Sequence, residues 1–205
     1  MAITTYSELQ TALTNALKRD PGNWDDLIDL AEARIRRGLR VSSLEQRSTL
    51  STVAGTNYYS LPSDFREMRS IRLDTDPKTT LEFASPEEID AKYAGSETSK
   101  PLLWTIEGDE LRLAPTPDTV YTVAITYHQE LPGLSDSQTT NWLLTNHPDA
   151  YLYGVLTEAA TYLMDETGKA RWEPLFQNAM GQAVREDMRR KYPGSALRMR
   201  PRSFA

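Results

Sequence analysis

The 205-residue chain contains no cysteine. That excludes disulfides, thiolate metal sites and a cysteine nucleophile. Histidine is nearly absent, with only His128 and His147. His147 lies close to Asp149, but two potential ligands without a third and fourth define no metal site. The simpler reading is a histidine that caps a helix entry. No apolar run approaches the roughly 20 residues needed to cross a bilayer. Met1–Asp20 also lacks the basic-then-apolar order of a secretion signal, so a soluble, unexported protein is expected, with no membrane partner. There is no glycine-x-serine-x-glycine elbow, phosphate-binding glycine loop or His-Glu-x-x-His. The acidic pairs Glu87-Glu88 and Asp165-Glu166 sit at a helix start and a helix turn, where local electrostatics account for them. No enzyme, metal or cofactor is expected.

Charge is present but unevenly placed. The net charge is −6, which argues against a wholly basic nucleic-acid-binding surface. Between Arg185 and Arg202, however, seven basic residues meet only two acids, so this segment carries +5 and the remainder −11. A basic end on an acidic body points to an acidic partner, protein or nucleic acid. The plainer alternative is a solvated terminus.

Helical periodicity occupies both ends of the chain. Thr5-Tyr6-Ser7-Glu8 has capping-box spacing and opens a helix over 5–18. Asn23 is expected to cap a second helix over 24–40, buried along Trp24, Leu27, Ile28, Ala31, Ile35 and Leu39. Its acids lie in the first half and Arg34, Arg36, Arg37 and Arg40 in the second, as the helix dipole favours. These arginines read as a solvated or inter-subunit face. A third helix over 148–164 begins at Pro148, a residue suited to a helix's first turn. Its apolar face is Leu152, Val155, Leu156, Ala159 and Leu163, widened by Tyr151, Tyr153 and Tyr162, so it is expected to be the central helix. A fourth covers 169–191, with Pro174 near its first turn or kinking it. Residues 192–205 have no periodicity and read as an extended arm.

Between these ends the period changes to that of short strands. Arg47–Val53, Asn57–Leu61, Glu67–Leu73, Thr79–Phe83, Leu102–Ile106, Glu110–Ala114 and Val120–His128 are rich in β-branched and aromatic residues and divided by turn signals such as Glu107-Gly108-Asp109. Ser85-Pro86 opens a short helix among them. The expected fold is therefore α+β. Residues 1–44 and 145–191 form a helical bundle, 45–131 an inserted antiparallel β-sandwich or barrel-like domain, 132–144 a loop, and 192–205 a C-terminal arm. The loop carries one apolar knot at Trp142-Leu143-Leu144, and loops this long are usually functional or mobile. Leu134, Trp142 and Leu143 are its candidates for an interface contact.

Three blocks share their order with a known family. They are Asn141-Trp142-Leu143-Leu144 with Pro148-Asp149-Ala150-Tyr151-Leu152-Tyr153-Gly154, the stretch Tyr59–Ile71 around Leu61-Pro62-Ser63-Asp64-Phe65, and Ile106–Pro115. Together they resemble the head-to-tail adaptor, or connector, proteins of tailed bacteriophages. The resemblance implies a virion protein made in the host bacterial cytoplasm. It implies a ring, twelve-fold, docked under the portal protein, with tail proteins (nozzle or tail tube) below and genomic DNA passing without sequence-specific binding. The arm would bind the portal through Arg189, Arg190, Tyr192, Leu197, Arg198, Met199, Arg200, Arg202 and Phe204, and Leu134, Trp142 and Leu143 of the loop would make a tail-side or inter-subunit contact. Arginine suits paired carboxylate contacts at interfaces, and the apolar members supply anchors. Two other readings compete. A β-sandwich could bind a carbohydrate or protein ligand on Tyr58, Tyr59, Trp104, Tyr121 and Tyr127, or the protein could bind nucleic acid through Arg34–Arg40 or the arm.

Overall fold

The computed structural model describes residues 3–17, 21–93 and 98–191. The expected arm lies outside the described residues. Among those described are six α-helices: α1 (Tyr6–Leu17), α2 (Trp24–Gly38), α3 (Pro86–Lys92), α4 (Trp142–Asn146), α5 (Pro148–Tyr162) and α6 (Glu166–Lys191). Eight strands accompany them: β1 (Glu45–Ser51), β2 (Tyr58–Ser60), β3 (Phe65–Leu73), β4 (Thr79–Thr80), β5 (Glu82–Phe83), β6 (Leu103–Glu107), β7 (Glu110–Ala114) and β8 (Thr122–Gln129). The fold is α+β, with helices toward both ends and the β region inserted between them, as the sequence implied. Leu44–Glu130 form one compact unit, and the described residues up to Ser43 and from Leu131 form the other.

In the helical unit α5 packs against α1, α2, α4 and α6. A helix with four neighbours cannot be amphipathic, and Tyr151, Gly154, Val155, Leu156, Thr157, Ala159 and Ala160 are all buried. Gly154 allows a close approach of helices, since a Cβ there would stand 3.1 Å from the Phe176 ring, tighter than ordinary contact. Of the three tyrosines expected to widen the stripe, Tyr151 is buried but Tyr162 is 57% exposed. The stripe of α2 is buried as its spacing predicts, from Trp24 to Ile35. The capping box forms: Thr5 Oγ1 accepts from Glu8 N, and Glu8 Oε2 accepts from Thr5 N at 3.1 Å. Asn23 departs from expectation. Its side chain makes no capping bond, and its carbonyl accepts from Leu27 N instead. Two further differences concern α6 and the loop. Helix α6 begins at Glu166, three residues earlier than expected, so Pro174 stands inside it, past the first turn. Part of the expected loop is helical, since Asn141 Oδ1 caps α4 through Leu144 N.

In the β unit two four-stranded sheets have the orders β1-β8-β3-β4 and β2-β7-β6-β5. Alternation sends Ile71, Leu73, Val123, Ile125 and Tyr127 of the first sheet and Leu111 and Leu113 of the second into one core. That is a sandwich. The expectation of a single strand over Thr79–Phe83 fails at Leu81. Leu81 N donates to Ile71 O of one sheet and Glu82 N to Leu102 O beside the other, so the backbone changes sheets there. The consequence is eight strands rather than seven, and one parallel pair, β5 with β6, among otherwise antiparallel ones. Gly108, at φ 62°, supplies the positive φ that the two-residue β6–β7 hairpin needs. Ser85 caps α3 by accepting from Glu88 N.

Candidate assembly surface

Among the described residues no group of three or more His, Cys, Asp or Glu could hold a metal ion. No described helix is long and apolar enough to cross a membrane. His147 does not cap α5 with its side chain, because its backbone carbonyl already takes Ala150 N. The ring instead meets Trp142 edge-on at 5.6 Å, with Nε2 3.7 Å from a Glu186 carboxylate oxygen.

The strand aromatics are largely occupied. Tyr127 lies in the sandwich core and donates to Asp64 at 2.9 Å; burial above all, then that bond, pushes its phenol up to about 12. Tyr59 donates to Thr56 O at 2.6 Å, Tyr121 to Asp118, and Tyr58 to Glu107. Trp104 packs edge-on against Phe83. These rings do not converge on an open platform. A cleft of about 560 Å³ in this unit is lined by Leu61, Pro62, Phe65, Arg66 and Asp109 rather than by them.

The most constrained chemistry lies in the helical unit, and sequence reasoning missed it. Glu32, read as one of the acids in the first half of α2, is 1% exposed. Its Oε1 accepts from Leu134 N at 2.8 Å and from the Tyr151 hydroxyl at 3.0 Å. Its Oε2 accepts from Arg36 at 3.0 Å. Arg36 also donates to Leu131 O, and Asn141 Nδ2 to Pro132 O and to the Tyr151 oxygen. A buried carboxylate thus fastens residues 131–141 to α2 and α5. Desolvation raises the Glu32 carboxyl above the ordinary carboxylate range, against the hydrogen bonds and Arg36 that lower it. Burial, with the Glu32 charge beside it, likewise raises the Tyr151 phenol. Asp187 is a second such fastener, accepting from Ser42 N at 2.8 Å and Ser42 Oγ at 2.6 Å.

The candidate residues therefore separate. Leu134 and Leu143 are buried in the unit's core, while Trp142 is half-buried. Arg34 pairs with Glu158 and Glu173 and lies over the Phe176 ring, and Arg36 belongs to the Glu32 cluster. Arg37 and Arg40 are exposed. Arg189 and Arg190 are exposed in the last turn of α6. Tyr192, Leu197, Arg198, Met199, Arg200, Arg202 and Phe204 lie outside the described residues.

Residues 4–200 match the family model of the SU10 adaptor protein. The chain belongs to that family. It is a family of phage head-to-tail adaptors, so this adaptor is a structural component of a bacteriophage virion. No curated protein matches the chain.

Two positions of the adaptor carry local backbone costs. Met164, between α5 and α6, holds φ at 56° and is 88% exposed. Gly181 lies inside α6, where alanine is favoured by about 0.5–1 kcal/mol. Met164→Gly and Gly181→Ala are each expected to raise the unfolding free energy, by about 1 kcal/mol or somewhat less. Urea denaturation of the two variants beside the wild type checks this.

Proposed function

We propose that this adaptor forms a ring of twelve subunits under the portal, closes and extends the DNA channel, and offers a platform to the tail. The observation that carries the reading, beside the family, is the character of the C-terminal end. Helix α6 finishes in exposed Arg189, Arg190 and Lys191, and the sequence beyond adds Arg198, Arg200 and Arg202 interleaved with Leu197, Met199 and Phe204. Guanidinium forks suit carboxylates on a partner, and the apolar side chains supply buried anchors. On this reading Arg189, Arg190 and residues 192–205 grip the portal. The helices of 1–44 and 145–191 make the ring body, and the β-domain of 45–131 faces neighbours or nozzle or tail-tube proteins. The loop 132–144 contributes Trp142, and α2 contributes Arg37 and Arg40, to contacts between subunits. The −11 charge of the chain outside Arg185–Arg202 favours a channel wall from which DNA phosphates are repelled, so DNA slides through without adhering. No catalytic step enters this function.

The test is native mass, measured for the protein alone and mixed with a portal ring. The full chain is expected to join the portal in fixed, high stoichiometry. A chain ending at Lys191 is expected to lose that binding while keeping its fold. A monomer that ignores the portal in both forms would overturn the proposal.

A further inference from the structure

We infer that the α5–α6 turn of one subunit seats in a cleft between α2 and α6 of the next, so that ring contacts run head to tail. The inference rests on the ring-forming reading above and gives that ring a specific contact. The turn presents two large apolar side chains to solvent, Tyr162 at 57% and Met164 at 88% exposure, the latter on backbone in the left-handed region. The cleft has a volume of about 390 Å³, with Phe176, Met180 and Val184 among its walls and Gly38 and Gly181 opening onto it. Neither glycine is required by the subunit itself. A Cβ at Gly38 would meet nothing within 4 Å, and one at Gly181 would meet only the end of the Arg185 side chain, at 3.3 Å. Both have negative or ordinary backbone geometry, so the turn chemistry that usually calls for glycine is absent from these two positions. Glycine there keeps space open for a visitor.

The visitor is a second copy. Within one subunit, α6 rises about 22 Å between Glu166 and Gly181, so a subunit's own turn cannot fill its own cleft. The charges also match. Asp165 and Glu166 flank Met164 on the exposed turn. Arg185 stands beside the cleft at Gly181 and Arg37 directly precedes Gly38 in the chain, both exposed, while Arg34 in its wall is already balanced by Glu158 and Glu173. A knob and a cleft at separate places on one subunit make a heterologous contact, which closes into a ring when the rotation per subunit divides a full turn.

The absence of cysteine makes the test direct. Met164→Cys and Gly181→Cys are introduced singly and together, and portal-bound assemblies are treated with a bismaleimide. The double variant is expected to give a ladder of covalent multimers. A mixture of the two single variants is expected to stop at dimers, and neither single variant to link to itself. Portal-bound rings that do not cross-link would overturn the contact and leave the ring reading standing. Self-linking of Met164→Cys would overturn it in favour of a two-fold contact, and linking of Gly181→Cys to Phe204→Cys would put the arm in the cleft instead. Wild-type protein that forms no assembly with the portal would overturn both readings. A second variant, Gly181→Leu, fills the cleft without crowding its own backbone. It is expected to weaken assembly on the order of tenfold or more without lowering the melting temperature. Unimpaired assembly of that variant would also overturn the contact.

Discussion

Glu32→Ala is expected to lower the unfolding free energy by about 2–6 kcal/mol, because two buried donors lose their acceptor at about 1–3 kcal/mol each. The carboxylate is the shared acceptor for Leu134 N, the Tyr151 hydroxyl and the Arg36 guanidinium. Alanine strands all three donors, two of them in buried surroundings, and an unpaired buried donor costs more than an ordinary hydrogen bond contributes. It also loosens the segment from Leu131 to Asn141, whose remaining ties include Arg36 Nε donating to Leu131 O, Asn141 Nδ2 donating to the Tyr151 oxygen and Tyr6 N donating to Thr139 O. Arg36→Ala is expected to cost less, because its side chain is 29% exposed and water can replace part of what it gives. Urea denaturation followed by far-UV circular dichroism measures both. A Glu32→Ala cost below about 1 kcal/mol would mean that the cluster does not hold this loop.

The same residue makes stability depend on pH with a definite sign. Desolvation holds the Glu32 carboxyl above the ordinary range, so the folded protein keeps that proton at pH values where the unfolded chain has released it. The associated stability is fully present below the unfolded value and lost as pH rises through the folded one. Glu32→Gln keeps an acceptor and removes the titration. From about pH 4 upward the wild type is therefore expected to lose stability relative to the glutamine variant. Glu8, lowered by bonds from Thr4, and Glu173, lowered by its bond from Arg34, act in the opposite direction. Both are common to the two proteins and cancel in the difference. Parallel curves would show that Glu32 does not titrate differently on folding.

Much of the fold was legible because its signals are local. Thr5 and Glu8 meet because three residues separate them, and Ser85-Pro86 caps α3 for the same reason. Composition and turn signals marked most strands, and for β7 the bounds themselves, Glu110 and Ala114. What was not legible depends on distant partners. Glu32 with Arg36 four residues on has the spacing of an ordinary surface pair, and only the return of Leu134 and Tyr151 buries it. The sheet change at Leu81 follows from which neighbours the backbone finds on either side, not from its own residue type. Arg34 looked like part of an outward-facing run, yet Glu158 and Glu173, more than 120 residues away, draw it onto Phe176. For the surface, sequence marked the basic end of α6 by composition. It gave no sign of Met164 or Gly181, whose interest lies in backbone angle and empty space.

Leu111→Ala is expected to cost about 2–5 kcal/mol, a deletion of three heavy atoms from the centre of the sandwich. Leu111 is fully buried on β7, which lies between β2 and β6, opposite Tyr59 on one side and Ile106 on the other. Its side chain belongs to the core shared with Leu73, Val123 and Ile125 of the facing sheet. A pocket enclosed by two sheets collapses poorly when side chains are removed, because ladder hydrogen bonds hold both walls in place. Leu111→Met, which preserves volume, is expected to cost less than about 1.5 kcal/mol. Val120→Ala, at a side chain 66% exposed just before β8, is expected to stay within about 0.5 kcal/mol. Trp104 is the only tryptophan between residues 44 and 130 and packs against this core, so single-tryptophan protein with Trp24, Trp142 and Trp172 replaced by phenylalanine reports its unfolding by fluorescence. If Leu111→Ala costs no more than Val120→Ala in that background, Leu111 is not at the centre of the core. The order Ala, then Met, then the exposed control is what packing of the two sheets on one another requires.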